Sequence, residues 1–126
     1  LAVPLNHLGE LLIQEGDIAG ARAALEESLS INTDEADRAG FWPPYVGLYN
    51  LGEVATIEGD AAAAAAYYQR SAELAQARQD GFRHVPLRLL GQLAIDQGHL
   101  DAAHEFLTAS LIAAREWGKA GWGVAP

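Results

Sequence analysis

One pattern of small and large residues occurs three times along the chain. Each copy starts with a Leu-Gly pair, and a second Gly, an Ala and a Ser follow the first Gly after 7, 12 and 19 residues. The members are Leu8, Gly9, Gly16, Ala21 and Ser28; Leu51, Gly52, Gly59, Ala64 and Ser71; and Leu90, Gly91, Gly98, Ala103 and Ser110. Successive copies are 43 and 39 residues apart. A period of this length is typical of a solenoid, in which each unit packs on its neighbour.

Each copy carries the pattern of two helices. Leu5, Leu8 and Leu12 recur at three- and four-residue spacing and predict a first helix with one apolar face. The second Gly of each copy is predicted to end this helix. The residue after it is predicted to cap the second helix, and these candidate caps are Asp17, Asp60 and His99.

Small residues are placed where the two helices of a unit are predicted to cross. Gly9 and Ala21, with their equivalents, let the helix axes approach closely, because a larger side chain would wedge them apart. We therefore expect Gly52→Leu to destabilise the protein by roughly 1 to 3 kcal/mol. The recurring Ser of each copy falls at one packing position, which indicates a structural role.

A Gly followed by a bulky apolar residue recurs before each next unit, at Gly40-Phe41, Gly81-Phe82 and Gly121-Trp122. Such a pair is typical of a left-handed helix C-cap, so we interpret these marks as the ends of lengthened second helices. The units then span about residues 3–40, 41–81 and 82–121, and 122–126 are a tail or the start of a truncated next unit. The absence of an initial Met indicates a piece of a larger protein.

The Leu-Gly, Gly and Ala positions resemble the tetratricopeptide repeat family across essentially the whole chain. The resemblance implies an all-α solenoid of three helix-turn-helix repeats, with about six antiparallel helices in a right-handed superhelical stack. Two family marks are missing, namely an aromatic residue near the start of the first helix and a Pro that closes the second. The positions concerned hold Leu5, Leu48 and Leu87, and Thr33, Gln76 and Arg115.

Units of about forty residues resemble the repeat arms of large bacterial transcriptional activators and signal-transducing ATPases. In those proteins, the resemblance implies, DNA-binding and nucleotide-binding parts lie elsewhere in the polypeptide. Two functions follow from the resemblance. The first is a protein-interaction scaffold that binds a peptide or partner protein on its concave face, and the alternative is a ligand- or peptide-sensing arm of a bacterial regulator.

The resemblance also implies which residues line the concave face, because the first helices form it in such solenoids. The family's groove positions fall on Val3, Asn6, Glu10, Ile13 and Gln14; Val46, Tyr49, Glu53, Thr56 and Ile57; and Val85, Arg88, Gln92, Ile95 and Asp96. Some family members hold a peptide's terminal carboxylate with Lys, Arg and Asn at these positions. Only Asn6 and Arg88 could do so here, so we expect no such clamp.

The charge of the chain restricts its partners. The formal net charge is -9 with a sequence pI near 4.7, so the long-range field repels nucleic-acid phosphates and anionic membranes. A neutral or basic peptide is the expected partner. Tyr49 either anchors that peptide or packs between units. Arg88 either contacts the peptide or pairs with Glu53, and the surrounding acidic residues favour the pair.

No group of residues predicts a catalytic, cofactor or metal site. His7, His84, His99 and His104 lack the spacing of a zinc site, and Asp34, Glu35 and Asp37 lack the pattern of a calcium loop. Lys119 stands in the wrong order among its glycines for a phosphate loop. The sequence therefore predicts a protein that is not an enzyme. The absence of Cys favours an intracellular, cytoplasmic setting.

The last second helix lacks a following first helix to cover it. Unless residues 121–126 fold back over it, we expect Phe106, Leu107 and Leu111 to be exposed on one side, and such a patch favours association. The expected association is a homodimer through this C-terminal end.

Overall fold

The computed structural model describes residues 2–31, 44–77 and 83–119, with the side chains of 5, 7–30, 46–77 and 83–116. These residues form six helices. They are α1 (Ala2–Glu15), α2 (Ile18–Ile31), α3 (Pro44–Ile57), α4 (Ala61–Ala77), α5 (His84–Asp96) and α6 (Leu100–Lys119). The predicted all-α fold, with two helices per repeat, is confirmed. The Gly40, Gly81 and Gly121 marks lie outside the described residues, although α6, at 20 residues, is longer than α5, at 13.

The chain forms two compact units, Leu1–Tyr67 and Tyr68–Pro126. Unit 1 contains α1, α2, α3 and the first residues of α4. Unit 2 contains the remainder of α4 with α5 and α6.

The turns between paired helices are as tight as the sequence predicts. Gly16, Gly59 and Gly98 have φ values of 86°, 81° and 78°, a left-handed conformation that favours glycine. In the first turn the Asp17 backbone N–H donates to the Leu12 carbonyl at 2.9 Å. The first helix of each pair therefore ends one or two residues before the predicted Gly.

The predicted caps Asp17 and Asp60 are confirmed. The Asp17 carboxylate accepts a hydrogen bond from the Gly20 backbone N–H at 3.0 Å, and Asp60 accepts one from Ala63 at the same distance. Each carboxylate satisfies a backbone donor and lies at the positive end of a helix dipole. In the third pair, the carbonyl of His99 accepts the first backbone hydrogen bond of α6.

The two helices of a pair make close contact at the glycine of the first helix, as predicted. A Cβ at Gly9 would lie 2.7 Å from Cδ2 of Leu25, and a Cβ at Gly91 would lie 2.6 Å from Cδ2 of Leu107. The recurring Ser is buried in all three pairs. In unit 2 the Ser110 hydroxyl donates to the His84 carbonyl at 2.7 Å, which ties α6 to the start of α5.

The core of unit 1 lies between α2 and α3. Ala21 and Leu25 of α2 and Leu51 and Val54 of α3 are almost completely buried together, and the half-buried residues packed against them are Leu12, Ile13, Ile18, Leu29 and Tyr67. An ion pair lies at the edge of this contact.

That ion pair joins Arg22 of α2 to Glu58, which follows α3. The hydrogen bond that Arg22 donates to the Glu58 carboxylate raises the pKa of the Arg22 guanidinium above its ordinary value. Arg22 also lies 3.6 Å from Glu26 on its own helix. Both partners of the Glu58 pair are partly exposed, so it contributes little stability and mainly fixes which residues of α2 and α3 meet.

Leu8 was predicted to belong to the core of its helix pair, and that prediction is wrong. Its side chain is 43% exposed, whereas the equivalent Leu51 and Leu90 are buried. Leu51 is buried because it packs with α2 of the preceding pair. Among the described helices, none precedes α1 to cover Leu8 in the same way.

The two glycine contacts predict different costs for the same substitution. We expect Gly9→Ala to lower the free energy of unfolding by about 1 to 3 kcal/mol, because the fully buried Leu25 cannot move away from the new methyl group. Gly91→Ala should cost clearly less, since Leu107 is 37% exposed and can turn towards solvent. Urea unfolding followed by circular dichroism measures both variants. Equal losses would contradict this interpretation of the contact.

Candidate protein-interaction surface

The central helix α3 leaves one narrow row of side chains open. Within 46–57, every residue is buried except Tyr49, Glu53, Thr56 and Ile57. Tyr49, Glu53 and Thr56 are spaced by four and three residues, so they follow one face of the helix. We call these three residues the α3 stripe. All three were expected groove residues.

The same spacing recurs on α5. Arg88, Gln92, Ile95 and Asp96 are exposed, and the buried residues of this helix are Pro86, Leu90, Gly91, Leu93 and Ala94. The four exposed residues lie at the positions predicted to face a partner. Unit 2 thus presents a mixed row with one cation and one carboxylate.

The expected groove residues of α1 are less uniform. Glu10 and Ile13 are half-buried and Gln14 is exposed. The side chains of Val3 and Asn6 lie outside those that the structure describes.

Val46 does not belong to the open surface, although it was an expected groove residue. Its side chain is buried, because it belongs to the part of α3 that is covered on nearly all sides. The usable row on this helix therefore begins at Tyr49, one turn later than expected.

Asn50 is a site residue that the sequence pattern did not single out. It is only 2% exposed, and its side-chain amide lies 3.4 Å from Oε1 of Glu10 as a donor. The second carboxylate oxygen of Glu10, Oε2, lies 3.9 Å from Nδ1 of His7. A polar residue inside the apolar run next to Leu51 was the available signal. Asn50 orients Glu10 towards α3 and so connects the open surfaces of α1 and α3.

Three of the expected contact residues take part in hydrogen bonds within their own helices. The Thr56 hydroxyl donates to the Gly52 carbonyl at 2.9 Å, and Nε2 of Gln92 lies 3.4 Å from Oδ1 of Asp96. The Thr56 proton is therefore engaged, and its methyl group is the part left for an apolar contact.

A model of the tetratricopeptide repeat matches residues 4–35 and 46–78, which are 65 of the 126 residues of the chain. The chain belongs to the tetratricopeptide repeat family. Tetratricopeptide repeats generally mediate protein–protein interactions, and their helical folds are typically non-enzymatic scaffolds. No curated protein and no solved structure matches the chain.

The third helix pair, α5 and α6, lies outside the two matched segments, and its structure repeats features of the matched pairs. Gly98 has the same positive φ as Gly16 and Gly59. Leu107 packs over Gly91 as Leu25 packs over Gly9.

Other features of this tetratricopeptide domain are as follows. No helix of the described ranges has the length and hydropathy that crossing a membrane requires. Among the described side chains, no three His, Asp or Glu residues are grouped to hold a metal ion.

A shallow hollow of about 400 Å³ in unit 2 is lined by Gln69, Ala72, Glu73, Gln76, Ala77, Arg83 and Leu87. Its cation Arg83 is bound to Glu116 of α6.

The pairing of Arg88 with Glu53 stays a prediction. Glu53 belongs to unit 1 and Arg88 to unit 2. The choice for Tyr49 between anchoring a peptide and packing between repeats also stays open, with its side chain half-buried.

Asn50 allows a test of how tightly the tetratricopeptide surface is organised. Asn50→Asp would place a second carboxyl group beside Glu10 in a buried position. Burial and the neighbouring charge raise the folded-state pKa of the introduced carboxyl above its unfolded value of about 3.9. The destabilisation should thus be small below about pH 4 and reach about 1 to 3 kcal/mol at neutral pH.

The measurement is the difference in free energy of unfolding between Asn50→Asp and the original chain across that pH range. Gln69→Glu on α4 is the matched control, because it makes the same amide-to-acid change at an exposed position. A pH-independent difference for Asn50→Asp would show that the amide does not face Glu10.

Proposed function

We propose that this domain binds an extended, neutral or basic segment of a partner protein along the open rows of α1 and α3 in unit 1. The observation that carries the proposal is the α3 stripe. α3 is buried on nearly all sides, and the row that remains open holds an aromatic, a carboxylate and a threonine. A helix held this firmly presents its open row in one conformation, which lowers the entropic cost of binding.

Tyr49 is the anchor in this proposal. An aromatic side chain offers a large contact area with few rotatable bonds. Tyr49 is half-buried, so its ring orientation is constrained by the protein before a partner arrives. The methyl group of Thr56, two turns further along, extends the apolar contact.

Charge sets the kind of segment that fits. Unit 1 presents Glu10 and Glu53 on its first helices, and the whole chain carries a net charge of -9. Lys or Arg side chains of a partner would be attracted to this surface, and acidic ones would be repelled. Because these carboxylates are only partly buried, the attraction mainly accelerates association and weakens with added salt.

Unit 2 has an open row of its own, with Arg88, Gln92 and Asp96 all exposed. One cation and one carboxylate, about two turns apart on α5, suit a segment that carries charges of both signs. We assign this row a role in specificity, because exposed charge pairs add little affinity.

The proposal is tested with extended peptides of equal length and equal apolar content that carry basic, neutral or acidic residues. Titration of the domain should rank affinity as basic, then neutral, then acidic, and added salt should weaken the basic peptide most. Tyr49→Ala should weaken binding about thirtyfold, which corresponds to about 2 kcal/mol. Tyr49→Phe should retain most of the affinity.

Matched variants separate the local charge from the total charge. Glu53→Gln on the α3 stripe should reduce affinity for the basic peptide and reduce the salt dependence. Glu27→Gln makes the same change on the exposed face of α2 and should do neither. If Tyr49→Ala left every affinity unchanged, the surface would have been assigned wrongly.

A second proposal is that the domain is the ligand- or peptide-sensing arm of a larger bacterial regulator. The supporting observation is the repeat length, 43 and 39 residues between equivalent glycines. The standard tetratricopeptide unit has 34. The sequence of the gene around these repeats is the test. A DNA-binding or nucleotide-binding segment in the same polypeptide would favour the regulator, and its absence would leave the interaction scaffold.

A further inference from the structure

Among the described side chains, α6 and α1 each carry an open apolar face. On α6, Leu107 is 37% exposed and Leu111 is 52% exposed, and Leu100 is exposed as well. On α1, Leu8 is 43% exposed and Leu11 is 50% exposed. Large apolar side chains exposed together on one helix face favour association with another apolar surface.

The repeat relates the open face of α6 to a covered face of α2. Residues 82 positions apart are equivalent, so Leu100, Ala103, Leu107 and Leu111 correspond to Ile18, Ala21, Leu25 and Leu29. All eight residues are apolar. In unit 1, the α2 residues pack in the core that α2 forms with α3. Leu25 and Leu107 contact their own glycines alike, yet only Leu25 is fully buried, because α3 covers it from the other side.

The repeat also relates the open face of α1 to the face of α3 that covers α2. The offset here is 43 residues, so Leu8 and Leu11 correspond to Leu51 and Val54. Leu51 and Val54 are almost completely buried in the core with Leu25. The α2 side of the α2–α3 contact therefore has an exposed equivalent on α6, and the α3 side has an exposed equivalent on α1.

The ion pair at the edge of the α2–α3 contact also has equivalents on α6 and α1. Arg22 of α2 bonds to Glu58 after α3. Their equivalents are His104 on α6 and Glu15 on α1, and both are exposed. An imidazole can donate a hydrogen bond to a carboxylate. His104 of one copy could therefore bond to Glu15 of another, at the edge of the apolar contact, as Arg22 bonds to Glu58.

We propose that the α6 face of one copy of this chain packs against the α1 face of a second copy, in the arrangement that α2 and α3 have within unit 1. The second copy is the occupant because the chain carries both halves of this contact. The contact is heterologous, so each dimer keeps one open face of each kind and association continues beyond two copies. The residues that carry this proposal are not those of the proposed peptide-binding surface.

The test is sedimentation velocity of the chain at micromolar to millimolar concentration, at moderate ionic strength because copies with a charge of -9 repel one another. The original chain should form species larger than dimers as its concentration rises. Leu11→Glu blocks the α1 face and Leu111→Glu blocks the α6 face. Each variant alone should remain monomeric, since each has lost one half of the proposed contact.

The two variants mixed together should form a one-to-one dimer and nothing larger, because each supplies the face that the other has lost. Formation of this dimer would also show that both variants are folded. Ile112→Glu is the matched control. Ile112 is 51% exposed on the same helix but stands beside the proposed face, so this variant should associate like the original chain.

Three results would overturn the proposal. The original chain could remain monomeric at every concentration. The mixture of Leu11→Glu and Leu111→Glu could fail to dimerise, with both variants shown by circular dichroism to be helical. Alternatively, Leu111→Glu could abolish association while Leu11→Glu has no effect, which would indicate a two-fold α6–α6 dimer. A variant that loses helicity is replaced by the corresponding Gln variant.

Discussion

The rest of this structure depends on the close contact between a glycine of a first helix and a leucine of the second. A Cβ at Gly9 would lie 2.7 Å from Leu25, so a pair as tight as this one requires a residue without a side chain at position 9. Gly91 and Leu107 repeat the contact in unit 2. A pair of short helices closed in this way cannot cover all of its own apolar side chains, and a neighbouring pair must cover the remainder.

That dependence on neighbours explains why equivalent residues differ in burial. Leu51 is buried and Leu8 is 43% exposed, although both precede the glycine of their pair. α3 lies after α2 and packs on it, whereas no described helix precedes α1. The same packing that buries most of α3 leaves open the row with Tyr49 and Glu53, so core formation and the proposed recognition surface have a common cause.

The sequence predicted those features that depend on contacts within one helix pair. The positive φ of Gly16, the cap by Asp17 and the close approach at Gly9 follow from local spacing, which is the same in every pair. Features that depend on a neighbouring pair were less predictable. The burial of Val46 and the orientation of Asn50 towards Glu10 require knowledge of which helix lies alongside, and helical periodicity does not contain it.

The two proposed surfaces lie on different sides of α1. At 3.6 residues per turn, Glu10 and Gln14 are about a third of a turn around the helix from Leu8 and Leu11. A partner segment and a second copy can therefore contact the same helix together. Under the two proposals, a bound basic segment also reduces the net charge of -9 and with it the repulsion between copies. Partner binding then favours self-association, and linkage requires that self-association strengthen partner binding in return.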